Sequence, residues 1–342
     1  KHKKKKKKKN GKKIFVIGPF ATNMPDLYVS AGATVISGEP EFYFIKKQNF
    51  DDDLKKDIIK VSYDIPLDDL PYPEWNEMDE NFLNIKLYGN HKTIPLLATR
   101  GCPFSCAKYC VYPLQQGNKV RQRSIKKIVD EIEFWKINHS VTMFVFRDPV
   151  FSINKKHTLE LCEELISRNL KINFVIETHL KILNSNLIFK LREAGLSAVK
   201  VGIESSDPDV LKNESRYTVT KDEQMEKIKE LEKNRIKVCA MYIIGFPSDN
   251  HKSINATIEY SKILNTTYAQ FSIWTPYPGT PIFKEFENKI ESKSYESFDQ
   301  YKVVYKHDKL SSEEIEKYLD YSYSSYYARP RWFFKYVNGY FK

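Results

Sequence analysis

Residues Lys237–Trp274 read KVCAMYIIGFPSDNHKSINATIEYSKILNTTYAQFSIW, and this stretch contains one strand–helix–strand unit. Its apolar, β-branched and aromatic residues predict strands at Lys237–Ile244 and Tyr268–Trp274, and the segment Ser253–Leu264 between them predicts a helix. A helix between two strands is the usual crossover that joins neighbouring parallel strands. The stretch therefore predicts an α/β fold in which helices cover a parallel sheet.

The same alternation of strand and helix extends back to about Thr93. Ser124 is expected to cap a helix, because the apolar residues after it follow the i, i+3, i+4 spacing of an amphipathic helix. Gly195 is expected to end a helix at its C′ position. The remaining strands are predicted at Ile94–Thr99, Val141–Phe146, Lys171–Glu177 and Ala198–Ile203, and the remaining helices at Thr158–Arg168, Asn184–Ala194 and Lys221–Asn234. Six βα units are fewer than the eight of a closed TIM barrel, so we predict a partial (βα)6 TIM-like barrel.

Polar and turn-forming residues follow the predicted strands. In parallel α/β sheets, active sites collect at the carboxyl ends of the strands. One rim would therefore bring together the residues after the six strands, which are Cys102, Arg147-Asp148, Glu177, Glu204-Ser205, Gly245-Phe246-Pro247 and Tyr277–Thr280. This pattern predicts an active site at that rim.

The positive charge of the chain is concentrated at its beginning. The 342 residues carry a formal net charge of +11, and ten Lys with no acidic residue stand in residues 1–13, which leaves +1 for the other 329 residues. We interpret residues 1–13 as a disordered, solvated tail. Because the rest of the chain is nearly neutral, no specific nucleic-acid partner is predicted.

Three of the five cysteines, Cys102, Cys106 and Cys110, lie within nine residues. Clustered cysteines in a chain with too few of them for a disulfide scaffold indicate a metal site. Thiolates favour zinc, copper(I) or iron–sulfur clusters. A structural zinc ion wants a fourth protein ligand, and neither His139 nor His157 belongs to a zinc-like pair. Three thiolates on a four-iron cluster instead leave one iron open to a substrate or cofactor, while zinc and three incidental core cysteines remain alternatives.

The stretch TRGCPFSC at Thr99–Cys106, followed by Tyr109-Cys110, resembles the signature loop of the radical S-adenosylmethionine (SAM) superfamily. It is most similar to the branch whose members carry an N-terminal cobalamin-binding domain. The spacing Cys-x3-Cys-x3-Cys has one residue more in its second gap than the commonest spacing of the superfamily, Cys-x3-Cys-x2-Cys. Further motifs follow in the order that the branch shows, at Lys119–Ser124, Phe146–Pro149, Val201–Ser205, Ile244–Pro247, Pro276–Thr280 and Ala328–Arg331.

The resemblance implies a [4Fe–4S] cluster on Cys102, Cys106 and Cys110, with the amine and carboxylate of SAM on the fourth iron. One electron would then cleave SAM and give a 5′-deoxyadenosyl radical that abstracts a hydrogen atom from the substrate. The resemblance also implies SAM-binding roles for Asp148 at the amino group, for Glu204 with Gly202 and Ser205 in the fourth-strand motif, for Glu177, and for Gly245 and Pro247 beside adenine.

Structural alternatives to these roles stay open. Asp148 could be a turn or cap residue, Glu177 an arginine partner and Ser205 a helix cap, and the segment Gly245–Pro247 could simply end a strand. Arg121 and Arg123 either face the cofactors or lie on the surface.

Four segments are expected along the chain. After the tail, residues 14–89 resemble the end of a Rossmann-like cobalamin-binding domain plus a linker, because Ile14–Thr22 and Gly38–Glu41 are similar to its last strand and exit. Residues 90–290 are expected to form the radical SAM core, and residues 291–342 a helical, aromatic-rich extension. This extension either packs on the barrel and closes the substrate cavity or lies at a membrane interface. The chain is expected to be a fragment whose full-length form binds cobalamin.

These features favour a radical SAM enzyme, and within that class a cobalamin-dependent C-methyltransferase acting on a lipid or a natural-product-like small molecule. The second hypothesis is a radical SAM oxidoreductase or rearrangement enzyme without cobalamin, and the third is a zinc-stabilised scaffold. Expected partners are a small-molecule substrate, an electron donor such as flavodoxin or ferredoxin, and a peripheral membrane contact. A cytoplasmic location is expected, because no signal peptide is seen and oxygen would damage the cluster.

Overall fold

The computed structural model describes residues 14–46, 53–63, 66–79, 83, 91–104, 109–216 and 219–340. The chain divides into two compact units, each assembled from separate stretches of sequence. The first comprises residues 1–71, 100–122 and 276–288, and the second comprises residues 72–99, 123–275 and 289–342. Cys102 and Cys110 therefore belong to the first unit, whereas the strands predicted for the barrel belong to the second.

The strands and helices alternate over most of the described residues. The strands are β1 (Phe15–Val16), β2 (Thr34–Ser37), β3 (Ile58–Lys60), β4 (Thr93–Leu96), β5 (Thr99–Arg100), β6 (Arg121–Gln122), β7 (Met143–Phe146), β8 (Asn173–Thr178), β9 (Leu196–Glu204), β10 (Lys237–Ile244) and β11 (Tyr268–Ile273). The α-helices are α1 (Pro19–Asn23), α2 (Asp26–Val29), α3 (Pro40–Lys46), α4 (Tyr112–Gln116), α5 (Ile125–His139), α6 (Lys155–Ser167), α7 (Ser185–Glu193), α8 (Pro208–Asn213), α9 (Lys221–Lys233), α10 (His251–Leu264), α11 (Pro281–Glu285), α12 (Ser312–Tyr327) and α13 (Pro330–Tyr340). Short 3-10 helices stand at Asp53–Lys55, Leu67–Asp69, Trp75–Glu77, Leu180–Ile182, Glu287–Lys289 and Tyr295–Ser297.

The second unit is built on a six-stranded sheet whose neighbouring strands are all parallel. The strand order is β11-β10-β9-β8-β7-β4. Apart from the short strands β5 and β6, each strand therefore lies beside its neighbour in sequence, with a helical crossover between them. This order confirms the predicted partial barrel, because consecutive parallel strands joined by outer helices curve in one direction.

The two faces of the sheet bury different residues. Along β10 the burial alternates, so that Val238 and Ala240 are buried under the helices whereas Cys239 and Met241 on the opposite face are half-buried. The opposite face is the inside of the barrel. There Glu177 of β8 is the register partner of Lys200 of β9. Charged side chains consequently lie inside the barrel, and the main hydrophobic core lies between the sheet and the helices.

Local hydrogen bonds fix the helix ends that the sequence predicted. The Ser124 side chain accepts from the backbone N–H of Lys127, which confirms it as the cap of α5. The Thr220 side chain and Glu223 form a reciprocal capping box at the start of α9. Gly195 ends the region of α7 with a φ of +111°, a conformation that glycine adopts without strain. These helices therefore begin and end where residue chemistry requires.

Two tyrosines of α12 cover the free edge of the sheet at β11. The Tyr327 hydroxyl donates to the carbonyl of Ala269 at 2.7 Å and accepts from its N–H at 2.9 Å. The Tyr323 hydroxyl does the same at Phe271, at 2.9 and 3.1 Å. Four residues of helix rise about 6 Å and two residues of strand about 6.8 Å, so the two spacings match. The extension thus packs on the barrel at its edge, which fits the first of the two expectations for it.

Replacing both tyrosines with phenylalanine is expected to destabilise the fold. Each change leaves one N–H and one C=O of the edge strand without a protein partner, which costs about 1–2 kcal/mol per site. An uncovered edge also promotes aggregation. Urea unfolding and light scattering of the double variant Tyr323→Phe, Tyr327→Phe test this. Tyr321→Phe on the same helix, whose side chain is 47% exposed, is the matched control, and equal stability of the two variants would contradict the prediction.

The first unit contains a smaller parallel sheet with the order β1-β2-β3. Val35 and Ile36 of its central strand are fully buried. The sequence predicted a strand within Ile14–Thr22, and the structure has β1 there. It did not predict β3, because Ile58–Lys60 is too short to show a periodic pattern. Helices α1 to α3 complete this small α/β layer.

In the part of the chain that the structure describes, no helix has both the length and the apolar character needed to cross a bilayer.

Candidate active site

The cysteine loop belongs to the first unit. Cys102 is buried with 7% of its surface exposed, and Cys110 is half-buried just before α4. Cys106 lies outside the described residues. The N–H of Cys102 donates to the carbonyl of Gly117 at 3.1 Å, and the N–H of Gly101 donates to Oε1 of Gln116 at 3.1 Å. The end of α4 therefore fixes the start of the loop.

Gly101 cannot be replaced without moving the backbone beside Cys102. Its φ is +94°, and a Cβ atom there would collide with the carbonyl oxygen of Lys119. Both facts require glycine, because an L-residue would be strained and would overlap backbone rather than a flexible side chain. The Gly-Cys pair of the motif is thus a steric requirement of this turn.

A buried carboxylate holds the arginines on both sides of the loop. Glu39 is 5% exposed, and its Oε2 lies 2.9 Å from Nη1 of Arg100 and 3.0 Å from Nη1 of Arg121. Arg121 also donates to the carbonyl of Gln116 at 3.2 Å and lies over the ring of Tyr63. Of the two alternatives left open for Arg121, the structure excludes the surface one, because its side chain is 9% exposed and pairs with Glu39.

Glu39→Gln is expected to lower the free energy of unfolding by about 3–5 kcal/mol, because it leaves two largely buried guanidinium groups facing a neutral amide. Urea unfolding followed by tyrosine and tryptophan fluorescence measures the change. Glu41→Gln is the control, since Glu41 pairs with Arg100 as well but its side chain is 34% exposed. A loss at Glu41 as large as that at Glu39 would show that burial is not the cause.

The donors present in this loop fit an iron–sulfur cluster. Thiolates are the ligands that such clusters take. Cys102 provides one in a buried position, and the N–H groups of Gly101 and Cys102 each donate one hydrogen bond that fixes the backbone there. Of the three predicted ligands, the described residues include Cys102 and Cys110.

Asp148 lies after β7 in the second unit and is buried, with 1% of its surface exposed. Its Oδ1 accepts from the N–H of Thr99 at 2.5 Å and from the Thr99 hydroxyl at 2.7 Å, and its Oδ2 accepts from the N–H of Ala98 at 3.1 Å. Burial raises its pKa to about 6, although these hydrogen bonds lower it. The carboxylate thus holds the segment three residues before Cys102.

Glu204 and Gly202, predicted together, do lie together at the end of β9. Glu204 is 8% exposed and forms an ion pair with Arg216 at 2.8 Å. A Cβ atom at Gly202 would lie 2.5 Å from Oε1 of Glu204 and 2.6 Å from Nη2 of Arg216. A side chain at this position would therefore have to displace the ion pair, which lies directly over it. Glu204 also has a φ of +64°, a left-handed conformation that is unfavourable for a glutamate and is typical of functional sites.

Glu177 lies inside the barrel among other charged groups. Burial, the largest cause, raises the pKa of Glu177, and the nearby Glu204 carboxylate raises it further. The positive charges of Lys200, Arg147 and Arg216 lower it. These five groups therefore interact electrostatically near the carboxyl ends of β7 to β9. A carboxylate between cations at the carboxyl ends of strands can bind the cationic or hydrogen-bonding groups of a ligand.

The remaining predicted residues have protein partners. Ser205 Oγ lies 3.1 Å from the hydroxyl of Thr257 and accepts from the N–H of Asp207 at 3.1 Å. It therefore closes a turn before α8, and the cap of that helix is Asp207. The carbonyl of Gly245 accepts from the Tyr305 hydroxyl at 2.6 Å. Pro247 is half-buried in the same turn. Gly245 has a φ of +73°, so this segment ends its strand in a turn that only glycine adopts freely.

Two residues of this layer were missed by sequence reasoning. Arg216 stands in a loop after α8, and nothing in the local sequence points it toward Glu204. His179 follows β8, and burial together with Arg216 and Lys181 lowers its pKa to about 4. His179 is consequently neutral near pH 7. Its position directly after the third barrel strand was the available signal, because the rim argument applies to every strand end.

Known proteins resemble this chain in sequence. Residues 96–261 match the radical SAM superfamily. The chain is 29% identical over 238 residues to an uncharacterized methyltransferase of Pyrococcus horikoshii, covering 69% of this chain and 51% of that protein. It is 27% identical over 263 residues to the bacteriochlorophyllide d C-12(1)-methyltransferase of Chlorobaculum tepidum, covering 76% and 56%. The chain thus spans about half the length of these curated relatives.

The fold resembles a solved structure as well. The radical S-adenosylmethionine methyltransferase TsrM from Kitasatospora setae, with cobalamin and a [4Fe–4S] cluster bound, superposes with a TM-score of 0.53 and 20% sequence identity. The superposition covers 58% of this chain and 37% of TsrM. At this identity the likeness concerns the fold, and it supports the partial barrel described above.

Proposed function

We propose that this protein, whose residues 96–261 match the radical SAM superfamily, is a radical SAM enzyme that uses a [4Fe–4S] cluster on Cys102, Cys106 and Cys110 to cleave SAM. The observation that carries the proposal is that all three cysteines fall within the matched residues. When bound, the cluster supplies the single electron that breaks the C5′–S bond of SAM.

The residues of the chain bind and orient the cluster and SAM, and they exclude water from the site. Cys102 offers a thiolate in a buried position, and Gly101 lets the backbone turn tightly beside it. Asp148 holds Thr99 and Ala98 in place before the loop. At the end of β9, the charged groups of the Glu204–Arg216 pair lie over Gly202, which has no side chain to cover the strand there. These groups suit the hydroxyl, ammonium and carboxylate groups of SAM.

We further propose that the full-length protein is a cobalamin-dependent C-methyltransferase. Both curated relatives described above are named methyltransferases, and the TsrM structure contains cobalamin. The small α/β layer of β1 to β3 in the first unit agrees with the predicted remnant of a Rossmann-like domain. A lipid or natural-product-like small molecule is the substrate class that we propose.

The test is anaerobic reconstitution of the chain with iron and sulfide, followed by metal analysis, EPR and a dithionite-driven assay with SAM. The proposal predicts about four irons per chain and formation of 5′-deoxyadenosine. Zinc in place of iron would overturn it in favour of a scaffold. Added cobalamin that is retained on gel filtration supports the methyltransferase branch. SAM cleavage without cobalamin retention by the full-length protein favours the oxidoreductase or rearrangement hypothesis.

We propose a flavodoxin or ferredoxin as the physiological reductant and the cytoplasm as the location. A one-electron donor is what SAM cleavage needs, and a reducing compartment keeps thiolates available. Replacing dithionite with reduced flavodoxin in the same assay tests the first statement. SAM cleavage at a rate no greater than that with buffer alone would contradict it.

A further inference from the structure

Helix α13 presents an apolar face to solvent. Phe333 and Phe334 are 57% and 64% exposed. The opposite face of the helix holds it to the barrel, because Trp332 Nε1 donates to the carbonyl of Thr267 at 2.9 Å and Lys335 Nζ donates to Glu232 at 2.6 Å. The protein-facing side of the helix thus combines these polar bonds with the rings of Trp332 and Tyr336, while two further aromatic rings stand where an amphipathic helix usually carries polar residues.

This face lies at the end of the barrel opposite the candidate SAM site. Thr267 directly precedes β11, and Tyr336 packs against Tyr268 at the first position of that strand. The amino ends of parallel strands meet at one end of the sheet, which we call the barrel floor. Glu177 and Glu204 lie toward the carboxyl ends. The exposed rings are consequently not part of the site described above.

Exposed basic residues lie close along the chain to α13 and to the groups that hold it. Lys233 ends α9, Arg235 lies in the turn after it, and Arg331 lies in the first turn of α13 itself. Lys171, in the loop before β8, is exposed at the same end of the sheet. Two acidic residues at the same end already have lysine partners. Glu193 lies 2.8 Å from Lys190, and Glu232 lies 2.6 Å from Lys335. The charge that this end offers to a partner is therefore mainly positive.

We propose that the barrel floor docks onto an anionic lipid surface, with α13 lying in the membrane interface. An apolar helix face bordered by lysine and arginine is the pattern of interfacial helices, in which aromatic rings enter the acyl boundary and cations meet the headgroups. The described part of the helix has 11 residues and so spans about 16 Å, which is long enough to lie flat in the interface. Docking in this way leaves the carboxyl ends of the barrel strands away from the lipid.

Vesicle co-sedimentation with the full chain tests the proposal. Anionic vesicles of phosphatidylcholine with about 30% phosphatidylglycerol are compared with vesicles of phosphatidylcholine alone. The double variant Phe333→Ser, Phe334→Ser is expected to weaken binding to the anionic vesicles about tenfold or more. Phe189→Ser on α7 is the matched control, because Phe189 is also an aromatic residue, 52% exposed, and is expected to leave binding unchanged.

The lysine run at Lys3–Lys9 could bind anionic vesicles by itself, so the comparison is repeated in a full-length chain in which these lysines are serine. The proposal predicts that this chain still binds and still loses binding with the Phe333 and Phe334 changes. The proposal would be overturned if vesicle binding were lost in the lysine-to-serine chain and were unchanged by the Phe333 and Phe334 substitutions. A dimer in light scattering that the phenylalanine variant dissociates without any vesicle binding would also overturn it, since a second copy would then be the occupant.

Discussion

Cys102→Ala is expected to abolish assembly of the iron–sulfur cluster and to reduce SAM cleavage by more than about 100-fold. Removal of residues that merely orient metal ligands already costs about 10–100-fold, and this change removes a ligand itself. Two remaining thiolates cannot hold three irons of a four-iron cluster. Iron and sulfide content after anaerobic reconstitution, and formation of 5′-deoxyadenosine, measure the two effects. Cys110→Ala is expected to behave in the same way.

Cys162→Ala is the matched control for the cysteine variants. Cys162 lies on α6, is 1% exposed, and has a pKa that burial raises to about 12. It is therefore a neutral thiol in the hydrophobic core, and a metal ligand would need the thiolate form. Full cluster content in Cys102→Ala, or its loss in Cys162→Ala, would show that the cluster is bound elsewhere.

Asp148→Ala is expected to lower the free energy of unfolding of the second unit by about 3–5 kcal/mol. The change removes the acceptor of three donors in a buried site, and each unpaired donor costs about 1–3 kcal/mol. Asp148→Asn retains one acceptor oxygen and is expected to cost less. Asp308→Ala is the control, because the side chain of Asp308 is 64% exposed and pairs with Lys289 at the surface. A loss within about 0.5 kcal/mol of that control would contradict the structural role of Asp148.

The Asp148 variants are also expected to change how the free energy of unfolding depends on pH. The pKa of Asp148 is about 6 in the folded protein against an ordinary value of 3.8. Between these values the folded protein holds a proton that the unfolded chain has released, so its stability falls as the pH rises from about 4 to about 6. Asp148→Asn should remove this part of the slope. Part of it should remain, because burial also raises the pKa of Asp249 to about 6.

Asp148 shows why a position in the fold does not define a role. Its place after the second barrel strand suggested a contact with SAM, and its three hydrogen bonds to Ala98 and Thr99 give it a structural task. If Asp148→Asn retains the cluster and SAM cleavage after correction for stability, its task is only to hold this segment. If binding of SAM weakens with the cluster intact, the residue also contacts SAM, as the superfamily resemblance implies.

The sequence determined the elements of the barrel because their patterns are local. β10 is found at the predicted residues Lys237–Ile244, and the caps at Ser124 and Gly195 are found as predicted, since each depends on neighbours within a few residues. The cysteine motif was legible for the same reason, because its ligands stand within nine residues. The short helix α8 was missed because six residues show too little periodicity.

Contacts between distant residues were decided only by the tertiary structure. Three examples are the pairs Glu39–Arg121, Glu204–Arg216 and Tyr323–Phe271. The two members of each pair are not linked by any periodic pattern in the sequence, so sequence reasoning could not pair them. Each depends on how helices and loops pack against strands, which fixes distances to within a hydrogen bond. The sequence by itself thus determined the fold class and predicted three cysteine ligands for a metal cluster. The tertiary structure decided which charges are buried together, how the sheet edge is covered and which aromatic rings stay exposed, because these follow from packing over the whole chain and not from local preference.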